Sequence, residues 1–183
     1  GVADRIDRLI VLFVFSSAIF GKYAVMTGLI LAFRFIPESF SNLILSGRAK
    51  RMVRFVAKFR VLDFFLAMGL PLVAAYILEI LVSRIFGENW LITFWAIALF
   101  AFSEMLRTIY VVRVNALLHS NTSTSIHIQS AILVLVVELI FAFFAWNLNN
   151  ITFVPAGLCL GYALTISLIG YSRPPSNIRR NGV

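Results

Sequence analysis

The chain has 183 residues, of which 61% are hydrophobic and 14% are aromatic. Soluble domains are about 45–50% apolar, so this composition excludes a soluble globular domain and predicts an integral membrane protein. The formal charge of +8 does not require a nucleic-acid partner, because basic residues in short cytoplasmic loops orient membrane helices. The long apolar runs predict an all-α membrane protein rather than a barrel.

The first predicted element is a short apolar helix over about 5–20. Two Asp-Arg pairs, Asp4-Arg5 and Asp7-Arg8, precede an apolar stretch that is about 18 Å long as a helix, whereas a bilayer core is about 30 Å thick. We expect this stretch to be the C-terminal part of a full span, with both pairs inside the membrane. The alternative is a chain that begins naturally here, with both pairs at the membrane surface.

Five longer apolar segments follow, and each meets the requirement of roughly 20 residues for a membrane span. The sequence therefore predicts five full transmembrane helices plus one partial N-terminal helix, in a single helical bundle over residues 1–183. The predicted spans cover about 23–45, 61–86, 90–118, 126–146 and 151–171.

A basic link over 47–60 joins the second and third predicted helices. From Ser46 to Arg60 it contains six basic residues and no acidic one. Because positive charge accumulates in cytoplasmic loops, we expect this link and the basic C-terminal tail to be cytoplasmic. Its apolar and basic residues recur at helical spacing. This pattern fits an amphipathic helix in the headgroup region or an ordinary charged loop.

Ionisable residues near the middle of the spans are the most informative feature of the sequence. Each costs about 2.5–3.5 kcal/mol to insert, so such residues usually face a cavity or a partner. Arg34 and Glu38 are four residues apart, and Glu104 and Arg107 are three apart, so each pair can form along one helix face. The pairs either fasten helices to one another or line a hydrated path for a polar or anionic substrate.

Other residues give little support for catalysis. Glu79 and Glu138 have no opposite charge at helical spacing, and the only cysteine, Cys159, lies in an apolar run. The two histidines flank a polar loop without the spacing of a metal site. We expect no enzyme, no cofactor and no metal. Gly157 and Gly161 form a GxxxG pair, which we interpret as a helix-packing feature.

Three stretches resemble a family of membrane exporters. In DRIDRLIVLFVFSSAIFGKYAV, an Asp-Arg pair precedes an apolar run and a Gly-x-Tyr that opens the next helix. FRFIPESFSNLILSGRAKR runs through a proline into a basic link, and LEILVSRIFGENW ends a helix with Phe-Gly and an aromatic residue. This order is similar to that of the multidrug/oligosaccharidyl-lipid/polysaccharide exporter superfamily, in particular the C-terminal half of polysaccharide flippases of the O-antigen or teichoic acid type.

The resemblance implies a transporter of two six-helix bundles that alternates its access across a bacterial or archaeal cytoplasmic membrane. It implies a substrate too, a glycan on a polyprenyl diphosphate, which is flipped between leaflets. This chain would be the second bundle, with lipid and a missing N-terminal bundle as partners. The candidate substrate-binding residues in the cavity are Arg5, Arg8, Arg34, Glu38, Glu104 and Arg107.

Two other functions stay open at this point. The chain could be a non-catalytic subunit of a larger membrane complex, with its mid-membrane charges paired to neighbouring chains. It could also be an intramembrane enzyme, although the sequence lacks a convergent Ser-His or His-Asp set. A second six-helix bundle upstream in the gene would favour the flippase.

Overall fold

A computed structural model of the chain describes residues 6–32, 61–118 and 124–171, and within these ranges all regular structure is helical. This confirms the predicted all-α class. A single 3-10 turn, Glu88–Trp90, lies between the third and fourth α-helices. The α-helices are α1 (Ile6–Val14), α2 (Ser17–Ala32), α3 (Val61–Phe86), α4 (Phe94–Leu118), α5 (Thr124–Leu148) and α6 (Phe153–Tyr171).

Three of these helices are long and apolar enough to cross a membrane, which indicates a membrane protein. Helices α2 and α6 contain shorter apolar segments, Ser17–Leu31 and Phe153–Ile169. Of the five predicted full spans, three therefore meet the length and hydropathy criteria in the described part of the chain. The three segments are Gly69–Phe86 in α3, Phe94–Val111 in α4 and Ile128–Leu148 in α5.

Helices α1 and α2 form a helical hairpin. The Tyr23 hydroxyl donates a hydrogen bond to Asp7 Oδ2 at 3.0 Å, although one continuous helix would separate these residues by about 24 Å. The chain therefore reverses at Phe15 and Ser16, between the two helices. Ser16 favours this break because its Oγ accepts a hydrogen bond from the Ile19 N–H at 3.4 Å, as an N-cap side chain does.

The position of this break corrects the sequence prediction. The predicted helices over 5–20 and 23–45 placed the connection at Gly21-Lys22, but both residues lie inside α2. A glycine inside a helix costs only about 1 kcal/mol, so Gly21 does not end α2. It lies beside the 3-10 turn, since a Cβ on Gly21 would be 4.0 Å from the Trp90 ring. The 47–60 link and the C-terminal tail lie outside the described residues.

The six helices close into a bundle with α6 near its centre. Helix α6 packs against α4 and α5, and α3 flanks α4. The hairpin completes the arrangement, because α2 lies against α3 and α4 while α1 contacts α5 and α6. Side chains on α1 and α2 therefore reach the interior that α4, α5 and α6 enclose.

Helices α5 and α6 cross very closely. A Cβ on Gly157 would lie 2.7 Å from Phe141 Cβ and 3.4 Å from Glu138 Cα, and one on Gly161 would lie 3.2 Å from Val134 Cα. The GxxxG pair is thus a packing feature, as the sequence predicts, since small residues one turn apart let two backbones approach. This crossing fixes Glu138 against α6.

One end of the bundle contains all three tryptophans of the chain, and we call it the tryptophan end. The Cys159 thiol donates to the Leu99 carbonyl oxygen at 3.0 Å, which places the first turns of α4 and α6 side by side. Short connections join the ends of α3 and α5 to these turns. Trp90, Trp95 and Trp146 are all exposed there, as is typical of residues at a membrane–water interface.

Large apolar side chains cover the outer surface of the bundle. On α3, Leu70 is 70% exposed, and on α5 Phe143 is 57% exposed. A surface of this kind is unfavourable in water, whereas in a bilayer it contacts lipid tails. The bundle therefore presents apolar residues outward, and the few polar groups that it buries require an explanation.

Candidate functional site

Two acidic side chains and a tyrosine are buried at one place inside the bundle, and we call Asp7, Tyr23 and Glu138 the acidic cluster. Asp7 is 4% exposed, Glu138 is 2% exposed and Tyr23 is fully buried. They belong to three different helices, α1, α2 and α5. Burying a carboxylate costs several kcal/mol unless it is paired or neutralised, so two in one place are unusual in a purely structural core.

The first contact of the cluster joins the two arms of the hairpin. Tyr23 donates its hydroxyl proton to Asp7 Oδ2 at 3.0 Å, and this hydrogen bond is buried. The Tyr23 ring in turn packs edge-on against Phe100 of α4, with the ring centroids 6.0 Å apart. The hairpin therefore holds Asp7 inside the bundle through a tyrosine that is itself fixed by α4.

Glu138 differs from Asp7 because one of its oxygens is unsatisfied. Its Oε1 is buried and has no hydrogen-bond partner in the described structure. Asp7 lies close enough to Glu138 that negative charges on both would repel each other across the α1–α5 contact, and a charge on Glu138 would act on Tyr23 too. An acidic oxygen held in this way can accept a proton, a cation or a donor group of a ligand.

Helix geometry gives the depth of the cluster. Glu138 lies ten residues before the end of α5, which places it about 15 Å from the tryptophan end at 1.5 Å per residue. Tyr23 lies six residues into α2, or about 9 Å from the start of that helix. The cluster therefore lies between about two and three helical turns from these helix ends, inside the bundle.

Arg8 brings a positive charge beside the cluster. It follows Asp7 in α1 and is half-buried, and its charge acts on Tyr23. A guanidinium keeps its charge in almost any surroundings and presents several donors to phosphate or carboxylate oxygens. Of the predicted cavity arginines, the structure describes Arg8 and Arg107, whereas Arg5 and Arg34 lie outside the described residues.

The second predicted ion pair is present in α4. Arg107 Nη1 lies 3.3 Å from Glu104 Oε2, and the two residues are three apart, as the sequence predicts. Their side chains are 18% and 17% exposed, so the pair is mostly buried. A role for this pair in substrate binding stays a prediction, as does any role for Glu38, which lies outside the described residues.

Sequence reasoning missed the acidic cluster, although parts of its signal were visible. Asp7 belongs to an Asp-Arg pair and Tyr23 to the Gly-x-Tyr of the same stretch. Because the helix break was predicted at Gly21-Lys22, the sequence did not indicate that the two side chains would be in contact. Glu138 was noticeable as an acid without a basic residue at helical spacing. Only the hairpin and the close α5–α6 crossing bring the three residues together.

A further buried polar contact links three helices of the bundle. The hydroxyls of Tyr110 and Ser130 are 2.8 Å apart, and the rings of Tyr110 and Tyr162 pack with centroids 5.7 Å apart. These residues join α4, α5 and α6, so they stabilise the bundle that surrounds the cluster. Among the side chains that the structure describes, no three His, Cys, Asp or Glu residues come together as a metal site.

Comparisons of the chain with protein-family models, with characterised proteins and with solved structures give no match.

Proposed function

We propose that this chain is a helical bundle of a membrane transporter that moves a polar, charged substrate by alternating access. The observation that carries the proposal is the acidic cluster, in which Asp7 and Glu138 are both buried inside the helical bundle. Ionisable groups buried inside a membrane helix bundle are costly, and they typically belong to substrate or ion pathways. A bundle that served only as an anchor would gain nothing from keeping them.

The location of the charges favours transport over the alternative of an interaction subunit. A subunit that pairs its charges with neighbouring chains would present them on its outer surface. Here Asp7 and Glu138 are covered by helices of the same chain, and Glu104 pairs with Arg107. The outward-facing side chains of α3 and α5 are instead mostly apolar.

We propose that the substrate is a glycan linked to a polyprenyl diphosphate. The support is the resemblance of the first stretch to polysaccharide flippases, together with the position of Arg8. A diphosphate carries at least two negative charges, and a guanidinium forms paired hydrogen bonds with phosphate oxygens. In this proposal Arg8, with Arg5 and Arg34, binds the diphosphate, and a second six-helix bundle encloses the cavity.

Substitution of Arg8 in the full-length protein tests this function. Arg8→Ala should reduce export of the glycan to the cell surface by at least tenfold, because a hydrogen bond between charged groups is worth about 1.5–3 kcal/mol. Arg8→Lys should restore part of the export, since lysine keeps the positive charge but lacks the paired N–H donors of the guanidinium. Surface glycan and membrane-inserted protein are measured in the same cells.

Arg84→Ala is the matched control, because Arg84 is exposed in the last turn of α3. Export should stay normal in this variant. If Arg8→Ala also exports normally at normal protein levels, Arg8 is not part of a diphosphate site. A lower amount of an assembled complex, with no change in glycan, would instead favour the interaction-subunit function.

A further inference from the structure

We propose that Asp7 and Glu138 bind one proton between them, and that Glu138 is the group that takes up and releases it. The proposal concerns proton binding by the acidic cluster, and it stands whether or not the transported substrate is a glycan. It rests on two structural facts, the burial of both carboxyl groups and the unsatisfied Oε1 of Glu138, and on the repulsion that two charges so placed would exert.

Two charged carboxylates could not remain together at this position. Both residues are at least 96% buried, and each charge raises the cost of the other. One proton on the pair removes one of the two charges and the repulsion, as in other sites where two buried carboxyl groups share a proton. A neutral Glu138 needs no counter-charge, which suits an oxygen that has no partner in the described structure.

Asp7 is better placed than Glu138 to keep the remaining negative charge. The Tyr23 hydroxyl donates to Asp7 Oδ2 at 3.0 Å, and such a donor stabilises the charged form of a carboxyl group. Asp7 is also next to the permanently charged Arg8 in sequence. The asymmetry therefore assigns the proton to Glu138 and the charge to Asp7.

The surroundings supply few other titratable groups. Helix α6, which packs on Glu138 through Gly157, has no acidic or basic residue over 153–169. Its Cys159 thiol is directed at the Leu99 carbonyl, and its Tyr162 ring lies on Tyr110.

The remaining charged groups on the packed helices are few as well. Glu138 is the only charged residue of α5 over 128–148. On α4, Glu104 forms an ion pair with Arg107. From the hairpin, α2 contributes Tyr23 and the half-buried Lys22, while α1 contributes Asp7 and Arg8.

A proton fits this site better than a metal ion. Sites for hard cations use about six oxygen ligands, whereas the acidic cluster brings two carboxyl groups and one phenol from the described residues. That phenol already donates its proton to Asp7. A proton requires only one acidic oxygen, and Oε1 of Glu138 provides it.

Movement of the helices would change the protonation state of Glu138. Glu138 is fixed on α5 by the close crossing with α6, whereas Asp7 is on the short hairpin arm α1, which meets α5 at few places. Movement of α1 away from α5 would reduce the repulsion from Asp7 and admit water to Oε1. The proton on Glu138 could then leave, so its binding would differ between two arrangements of the bundle.

Thermal unfolding of the purified full-length protein as a function of pH tests the proposal. A folded pair that holds a proton binds more protons than the unfolded chain at neutral pH, so stability must fall as the pH rises. We expect the folded-to-unfolded ratio to fall by up to about tenfold per pH unit from about pH 5, where an exposed glutamate has already lost its proton, up to the pH at which the folded pair releases its own, and to level off above that pH. Glu138→Gln, which mimics the protonated acid, should remove this pH dependence and keep the fold.

Infrared spectroscopy gives a second readout that does not depend on unfolding. The wild type at neutral pH should show the carbonyl band of a buried protonated carboxylic acid, and Glu138→Gln should remove that band. Asp7→Asn removes the repulsion, so Glu138 should lose its proton more easily and the band should disappear at a lower pH than in the wild type. Glu79→Gln, on the half-buried acid of α3, is the matched control and should retain the band.

Three results would overturn the proposal. The first is a wild-type pH dependence that persists unchanged in Glu138→Gln. The second is the absence of a protonated carboxyl band that depends on Glu138. The third is stabilisation by sodium chloride over choline chloride that Glu138→Gln abolishes, which would assign the cluster to a sodium ion.

Discussion

At the scale of single residues, the hydrogen bond between Tyr23 and Asp7 connects the hairpin to the interior. Tyr23→Phe removes the hydroxyl and leaves Asp7 without that donor, while the ring can still pack on Phe100. We expect the free energy of unfolding to fall by about 1.5–3 kcal/mol, the contribution of a hydrogen bond to a charged group. Thermal or denaturant unfolding of the purified protein measures this loss.

Tyr76→Phe is the control for this prediction, because Tyr76 is 61% exposed on α3. Its effect should stay within about 0.5 kcal/mol, as is usual for surface substitutions. Equal effects of the two tyrosine variants would mean that the Asp7–Tyr23 hydrogen bond contributes little to holding the hairpin.

At the scale of helices, the crossing of α5 and α6 depends on Gly157. Gly157→Ala would place a methyl group 2.7 Å from Phe141 Cβ, so the helices must move apart or Phe141 must change its position. We expect a loss of about 1–3 kcal/mol in unfolding free energy, which is typical of overpacking. The shift of the thermal midpoint in detergent measures it.

Gly28→Ala provides the control at this scale, because no atom lies within 4 Å of a Cβ at Gly28. In a helix, alanine is favoured over glycine by about 1 kcal/mol, so this variant should be neutral or more stable. A Gly157→Ala protein that is as stable as Gly28→Ala would contradict the close crossing and, with it, the fixed position of Glu138.

At the scale of the whole molecule, the tryptophan end should lie at one membrane interface. Because the chain has three tryptophans and all three are at this end, its fluorescence reports one depth. In bilayers, lipids with quenching groups close to the headgroup should quench this fluorescence more strongly than lipids with groups near the chain ends. The reverse order would contradict a transmembrane arrangement of α3, α4 and α5.

The basic-loop asymmetry makes a separate prediction about orientation. With Cys159→Ala as the background, a single cysteine at position 50 should react with an impermeant reagent only from the cytoplasmic side, and one at position 88 only from outside. This cytoplasmic assignment remains a prediction from the sequence, since the 47–60 link is outside the described residues. Labelling of position 50 from outside would reverse the topology.

Composition and hydropathy were sufficient to predict the all-helical class, because a helix satisfies all of its backbone hydrogen bonds internally, as a lipid environment requires. The Glu104–Arg107 pair and the GxxxG crossing followed from spacing along single helices. The Asp7–Tyr23–Glu138 cluster could not be predicted, since its three residues belong to different helices and meet only through tertiary packing. The hairpin break was missed because Ser16, a good N-cap, lay within an apolar run.

The central claim is that the buried charges of this bundle serve transport. The most direct measurement is the rate at which proteoliposomes containing the full-length protein flip a labelled glycan on polyprenyl diphosphate, with and without a pH gradient. The account predicts flipping whose rate depends on the gradient in the wild type and in Glu79→Gln, but not in Glu138→Gln. Wild-type protein that is correctly folded and does not flip the substrate under either condition would contradict it.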